Sequence, residues 1–259
     1  MNSARDAIKA SDLLGVFRRS LLIQASWSFD RMQTLGFAYA IEPALRKLYP
    51  DQAEYEARLK VHLEYFNTQP YFASFILGAA VRLEEDRATG RNRESDVSGL
   101  KAALMAPLGA LGDSFFWGGL KPLAAVVAVS VLMAGAWWAP ILFLALYNAC
   151  HVGLRVGMLF WGYASGGDAV ALMARFRFTK TARRLKVLSL TLLGSILGMM
   201  PLWRPEFRTA FGVPAAAAMA AGLAFMLVMV AVIRRGGSPV ILMLGLAALC
   251  LALAYGGVV

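Results

Sequence analysis

The sequence predicts an all-α integral membrane protein, with amphipathic N-terminal helices, re-entrant or broken helical hairpins and three to four or more transmembrane helices. Three observations carry that prediction. Of the 259 residues, 59% are apolar and only 16% charged, where an ordinary soluble domain carries about 25% charged residues. The charge is also unevenly placed: residues 1–101 hold 14 Lys/Arg against 13 Asp/Glu, whereas residues 102–259 hold 12 against 3, so nearly all of the net +10 belongs to the hydrophobic part. Finally, residues 122–150, 187–203, 209–233 and 236–259 contain no Asp, Glu, Lys or Arg. The basic excess lies in short clusters between apolar runs, where positive charge fixes orientation in a bilayer. A nucleic-acid binder, which needs a basic face on a hydrated domain, is excluded.

The N-terminal arm, residues 1–50, places Leu13, Leu14, Phe17, Leu21 and Leu22 at helical spacing with Arg18 and Arg19 on the other side. This pattern predicts a helix lying on a membrane or a partner. Asp6, Lys9, Asp12, Arg18 and Arg19 leave no apolar core in the first twenty residues, so a signal peptide is not expected and the N-terminus is expected to be cytoplasmic. After Pro50, Asp51 and Glu54 form an N-cap pair, and Tyr55, Leu59, His62, Leu63 and Phe66 then recur at helical spacing. The reading is a helix over 51–66. Pro70 disfavours helical geometry at Gln69, so a break is predicted at Asn67-Thr68-Gln69-Pro70. An amphipathic segment, Tyr71 to Leu83, follows and ends in Glu84-Glu85-Asp86. Such a charge run usually marks a solvated face, and its expected use is packing against basic residues or docking a cytoplasmic partner.

Residues 89–99 read as an exposed linker. The next segment, 102–120, is apolar but contains Pro107, Gly109, Gly112, Gly118 and Gly119, which predicts a broken segment. Transporters build sites from such segments, because half-helix ends and freed backbone groups can hold a polar substrate. Residues 51–121 thus form a broken-helix core ahead of a transmembrane region, 122–259. About 20 helical residues cross a hydrocarbon core of about 30 Å, so 209–233 and 236–259 each suffice and 187–203 does so with little tilt. The run 122–150, with Gly135, Trp137, Trp138 and Pro140 near its middle, is either one kinked helix or two half-crossings joined at an interfacial aromatic turn. Arg175, Arg177, Lys180, Arg183, Arg184 and Lys186 are expected to form a cytoplasmic loop, and the connection Arg204 to Arg208 to lie outside. The single cysteines Cys150 and Cys250 and the histidines His62 and His151 lack metal-ligand spacing, and both histidines read as packing or hydrogen-bonding residues.

Four blocks resemble one known family. They are LLIQASWSFDRMQTLGFAYAIEPALRKLY (21–49), HLEYFNTQPYFASFILGAAVRLEE (62–85), GLKAALMAPLGALGDSFFWGGLKP (99–122) and APILFLALYN (139–148). Their order and content are similar to the IID membrane component of the mannose/fructose/sorbose-type bacterial phosphotransferase system, over about residues 13–168. The resemblance implies a non-enzymatic subunit without cofactor or metal. It implies pairing with a IIC membrane subunit in a hetero-oligomer of the bacterial cytoplasmic (inner) membrane. Cytoplasmic IIA and IIB components would phosphorylate the incoming hexose. Family members usually read NTHP where this chain has Asn67-Thr68-Gln69-Pro70, and Gln69 cannot titrate as His would. The segment Arg204 to Gly212 is also shorter than its usual counterpart. These departures motivate the alternative of a non-transporting membrane scaffold that recruits phosphotransferase proteins.

The expected sugar-binding residues are Asn67, Gln69, Asp113, Ser114 and Trp117. A sugar site needs neutral donors and acceptors in an otherwise apolar pocket, as Asn67 and Gln69 supply. The competing reading makes them amides that satisfy the carbonyls of a helix end. Asp113 is the only acid between Asp96 and Asp168, and a carboxylate in such a segment needs a partner. It either accepts hydrogen bonds from sugar hydroxyls beside Ser114, or pairs with Lys101, Lys121 or Arg155, or caps a helix beginning at Ser114. Among the tryptophans, Trp117 alone lies within the broken segment; the others read as interface anchors.

Overall fold

The computed structural model describes residues 7–175, 178–203 and 214–255, and they are helical with no strand among them. Two compact units divide at Ser189. The first begins with α1 (Ala10–Ser20), which packs on α2 (Thr34–Leu48). The buried stripe of α1 is Leu13, Val16 and Ser20, whereas Leu14, Leu21 and Leu22 are about half exposed. The expected apolar stripe is therefore split between the core and the outer surface. Helix α1 ends at Ser20, and residues 21–33 connect it to α2 as turns.

Helix α3 (Gln52–His62) begins as the sequence indicates, with the Asp51 carboxylate accepting the Glu54 N–H at 2.9 Å. It stops four residues before Phe66, which corrects the expected 51–66 helix. The reason is competition for backbone groups. Gln33 N–H donates to the Phe66 carbonyl at 2.9 Å, the Phe66 N–H donates to Thr34 Oγ1 at 3.0 Å, and Met32 bridges to Phe66. The chain is thereby drawn out straight against the start of α2.

Helix α4 (Ala73–Ala88) is the most enclosed element and packs chiefly on α7 (Ala139–Ser165). The crossing is made by two glycines: a Cβ on Gly78 would strike the Leu159 carbonyl, and one on Gly162 the Phe75 carbonyl. Small residues allow this backbone-to-backbone approach, the usual basis of helix association in membranes. The linker is shorter than expected. Ser95 and Val97 are buried, and the Asp96 carboxylate accepts the Gly99 N–H at 2.8 Å to start α5 (Val97–Gly112).

The segment 102–120 is not broken. Helix α5 continues through a π-helical stretch, Asp113–Leu120, into α6 (Lys121–Met133), and Pro107 sits inside it. At least one of its glycines serves packing rather than unwinding: a Cβ on Gly112 would lie 2.5 Å from Gln69 Cβ. Residues 122–150 fold back, with α6 packed on α7 and an exposed turn at 134–138 carrying Trp137 and Trp138. A 3₁₀ turn (Gly166–Asp168) and α8 (Ala169–Arg175) follow, then α9 (Phe178–Trp203). The expected basic loop is largely helical, since Arg175 belongs to α8 and Lys180, Arg183, Arg184 and Lys186 to α9; Arg177 lies outside the described residues.

In the second unit, α10 (Ala215–Arg234) and α11 (Pro239–Tyr255) are joined by a turn at Gly236. The connection Arg204 to Arg208 lies outside the described residues. Among the described residues, two helical runs are long and apolar enough to cross a bilayer, Val97–Met133 and Ala139–Met173. Their apolar side chains face outward in number, with Val129, Leu132, Ile141 and Leu144 about half exposed, an arrangement that suits lipid rather than water.

Candidate functional site

A cavity of about 600 Å³ opens in the first unit between the α1–α2 connection, the 65–70 segment and the α5–π run. Of the residues expected at a sugar site, it is lined by Asn67, Gln69, Asp113 and Trp117. Ser114 is exposed on the same π segment but is not part of the wall. Gln24, Trp27, Gln33, Tyr65 and Thr68 complete the polar and aromatic lining. No local signal marks them, because Gln33 meets Thr68 across 35 residues of chain.

Gln33 fixes the shape of the 66–70 segment. Its Nε2 donates to the Thr68 carbonyl at 2.7 Å, and its Oε1 accepts the Thr68 N–H at 3.3 Å. The buried amide thus extends the pairing begun by Met32 and Phe66. Thr68 Oγ1 donates to the Met105 carbonyl at 2.9 Å, tying the segment to α5.

Gln69 is divided in its role. Its Oε1 accepts the N–H groups of Tyr71 and Phe72 at 2.8 and 3.0 Å, which satisfies donors at the start of α4. The expectation that such amides cap carbonyls at the end of α3 is thereby corrected: Gln69 serves the next helix. Its Nε2 is buried without a hydrogen-bond partner among the described residues. A buried amide donor left unmatched costs about 1–3 kcal/mol, and a ligand oxygen would remove that cost. Asn67 is exposed at the cavity edge.

Asp113 is exposed and continues the helix, so it does not cap one. None of the three cations weighed as its partner reaches it. Lys101 Nζ donates to the Val61 carbonyl at 2.9 Å, Lys121 sits 4.9 Å from the Trp117 ring centroid, and Arg155 holds the Ser20 carbonyl at the end of α1. Trp117 stacks against Tyr71, whose ring also stacks on His151 at 4.5 Å and meets Phe116 edge-on at 4.8 Å.

A second polar cluster lies outside the cavity, where Glu84 and Glu85 pack against basic residues as expected, Glu84 on Arg58 and Glu85 on Arg82 and Arg91, but inside the fold and not on a solvated face. Both are fully buried. Glu84 accepts from Arg58 through both oxygens at 2.7 and 2.9 Å, from Tyr49 Oη at 2.7 Å and from His62 Nε2 at 2.9 Å. Burial opposes ionisation of Glu84, but hydrogen bonds from His62 and Arg58, together with the Arg58 charge, outweigh it and hold the carboxyl at about 2. Burial pushes His62 down more than Glu84 can restore, so the ring is neutral and donates through Nε2. Burial, and then the Glu84 charge, push the Tyr49 hydroxyl up. Glu85 accepts the Ile8 N–H at 2.9 Å and the Tyr163 hydroxyl at 2.6 Å. Among the described residues, no group of three His, Cys, Asp or Glu side chains is placed to hold a metal.

A family model described as the PTS system mannose/fructose/sorbose family IID component matches residues 7–204. The mannose-specific EIID component of Escherichia coli (strain K12) is 39% identical over 189 residues, covering 72% of this chain and 67% of that one. The chain belongs to the IID family of the mannose/fructose/sorbose phosphotransferase system. The sorbose-specific EIID component of Klebsiella pneumoniae is 34% identical over 191 residues, covering 73% of this chain and 70% of its own. Two solved structures resemble nearly the whole IID chain, each covering 96% of it and 97% of themselves. One is described as a membrane protein structure, with a TM-score of 0.73 at 31% identity. The other is a cryoEM structure of the mannose transporter ManYZ in complex with microcin E492, with a TM-score of 0.59 at 30% identity. The family match extends past the four blocks at both ends, and the structural likeness extends into the last helices, where the sequence is legible only as hydrophobic runs.

Proposed function

We propose that this IID chain and a IIC membrane subunit together form the translocation pathway for a mannose-type hexose, which soluble IIA and IIB components phosphorylate during uptake. The observation that carries the reading is the cavity wall, where the unmatched Gln69 Nε2, Asn67 and the Asp113 carboxylate stand among Trp27, Tyr65 and Trp117. Hexose hydroxyls exchange water for amide donors and carboxylate acceptors, and the sugar's C–H faces lie on aromatic rings. Movement of the segment 66–70 or of the surrounding helices then opens the cavity to the other side. The chain itself carries no phosphoryl group in this scheme. His62, fully buried and engaged with Glu84, is not placed to receive one. The location is the bacterial cytoplasmic membrane, with the N-terminus cytoplasmic.

The test compares membranes containing IIA, IIB and IIC with and without this chain, following labelled mannose uptake and sugar phosphate formation. Uptake and phosphorylation are expected to require the chain. Equal activity in its absence defeats the transport reading.

A further inference from the structure

Two cations are buried inside the apolar frame with no buried carboxylate within ion-pair distance. Lys101 lies in the helical run Val97–Met133 and is 1% exposed; Arg155 lies in Ala139–Met173 and is 4% exposed. The carboxylate nearest Lys101 is that of Glu64, at 3.9 Å and half exposed, and Arg155 makes no ion pair among the described residues. A charge at bilayer depth is costly, and such residues mark functional positions. Each of these cations is aimed at the same kind of acceptor, a carbonyl at the C-terminal end of a helix. Lys101 Nζ donates to the Val61 carbonyl at 2.9 Å, in the last turn of α3, and Arg155 donates to the Ser20 carbonyl, the last of α1. Those ends carry unmatched carbonyls and the negative pole of the helix dipole, which stabilise a buried cation without a counter-ion.

The same two helix ends are the points from which the cavity wall departs. Past Ser20 the chain runs on to Gln24, Trp27 and Gln33, and past Val61 to Tyr65, Asn67 and Gln69. Lys101 heads a row on α5 that lays down the second of these stretches. One turn on, the Met105 carbonyl accepts Thr68 Oγ1 at 2.9 Å, and further along Gly112 makes room for Gln69. Arg155 reaches both stretches, since its guanidinium also lies 5.9 Å from the ring centroid of Tyr71, whose N–H is held by Gln69 Oε1. We infer that Lys101 and Arg155 are positioning residues for the cavity: they clamp the ends of α3 and α1 and thereby hold the Gln33–Thr68 pairing and the Gln69 side chain in place. Neither cation lines the cavity, so each acts on a ligand through the wall. The effect on a sugar rests on the hexose reading above; the hold on the wall does not.

The test uses the full-length chain with its IIC partner in lipid nanodiscs, and four variants. Lys101→Met and Arg155→Met keep much of the side-chain bulk and remove the charge, while Lys101→Arg and Arg155→Lys keep the charge. Amide hydrogen exchange is followed at Thr68, Tyr71 and Phe72, the N–H groups held by Gln33 and Gln69. It is expected to be about tenfold faster or more in each Met variant, because a charge-assisted hydrogen bond is lost at the anchoring helix end. The crossing of α4 on α7 is expected to keep its protection, and the charge-keeping variants to stay within about threefold of wild type at the wall. Unchanged exchange at the wall, or exchange raised equally at the crossing in both Met variants, overturns the inference. In membranes that also hold IIA and IIB, the Met variants are expected to raise the apparent KM for mannose about fivefold with the maximal rate within about twofold, and the charge-keeping variants to leave both near wild type. A lost maximal rate with unchanged KM overturns the inference and leaves the hexose reading intact. Uptake that does not depend on the wild-type chain overturns the hexose reading instead, and the exchange result then decides the clamp by itself.

Discussion

The knot around Glu84 and the cavity wall at Gln69 and Asp113 both set polar groups into an apolar helical frame, and they do so in opposite ways. At Glu84 the charge is answered from within the chain by Arg58, Tyr49 and His62 on two other segments. At the wall, Gln69 keeps one donor unmatched and the Asp113 carboxylate makes no ion pair among the described residues. The first arrangement locks α3 onto α4. The second leaves a buried amide donor unmatched, a cost that a bound ligand would remove. Charge density alone does not separate the two; the presence of answering partners does.

Three measurements bear on that contrast. Glu84→Gln removes the fully buried carboxylate and leaves the partly buried Arg58 without its counter-charge, so a loss of about 3–5 kcal/mol is expected in thermal or denaturant unfolding of the purified protein. A loss below about 1 kcal/mol would make the knot no more essential than a surface pair. The pH dependence is the next largest effect. Glu84 is held at about 2 against a reference of 4.5, so its contribution is present above pH 4.5 and is lost as the pH falls toward 2, amounting to about 3 kcal/mol. His62, pushed below 6.5, adds to the decline, because the unfolded chain takes up a proton there that the folded chain refuses. Unfolding midpoints should therefore fall steadily from pH 7 to pH 3, and Glu84→Gln should flatten the lower part of the curve. The smallest stability effect belongs to the wall. Asn67→Ala, at an exposed position, should shift stability by no more than about 0.5 kcal/mol while lowering mannose uptake severalfold. A variant that unfolds, or one that transports normally, erases the distinction between the two regions.

Much of this was legible in the sequence for identifiable reasons. The Asp51 cap, the break at 67–70 and the choice of Asn67, Gln69, Asp113 and Trp117, which the fold brings to one cavity, follow from local chemistry or from the family resemblance. The end of α3 was not, because it is decided by Gln33 and Thr34, some thirty residues upstream, competing for the backbone of Phe66. Glu84 and Glu85 look like a solvated run because the partners that bury them, His62 and Arg58 for Glu84 and Ile8 and Tyr163 for Glu85, lie 22 to 78 residues away. The continuity of 97–133 was hidden by Pro107 and the glycines, which are compatible with a break and with close packing alike. In this chain Gly112 makes room for Gln69.

The π-helical stretch at Asp113–Leu120 has a geometric consequence of its own. Each of its residues turns the helix through less than the roughly 100° of an α-helical residue, so buried positions step from Gly119 to Ala124 across its end. It acts as a phase shifter: the stripe that α5 offers to the cavity and the stripe that α6 offers to α7 belong to two angular registers of one continuous rod. A residue gained or lost there resets the bearing of everything downstream while leaving the rod's length almost unchanged. Those eight residues are where this protein can be re-aimed.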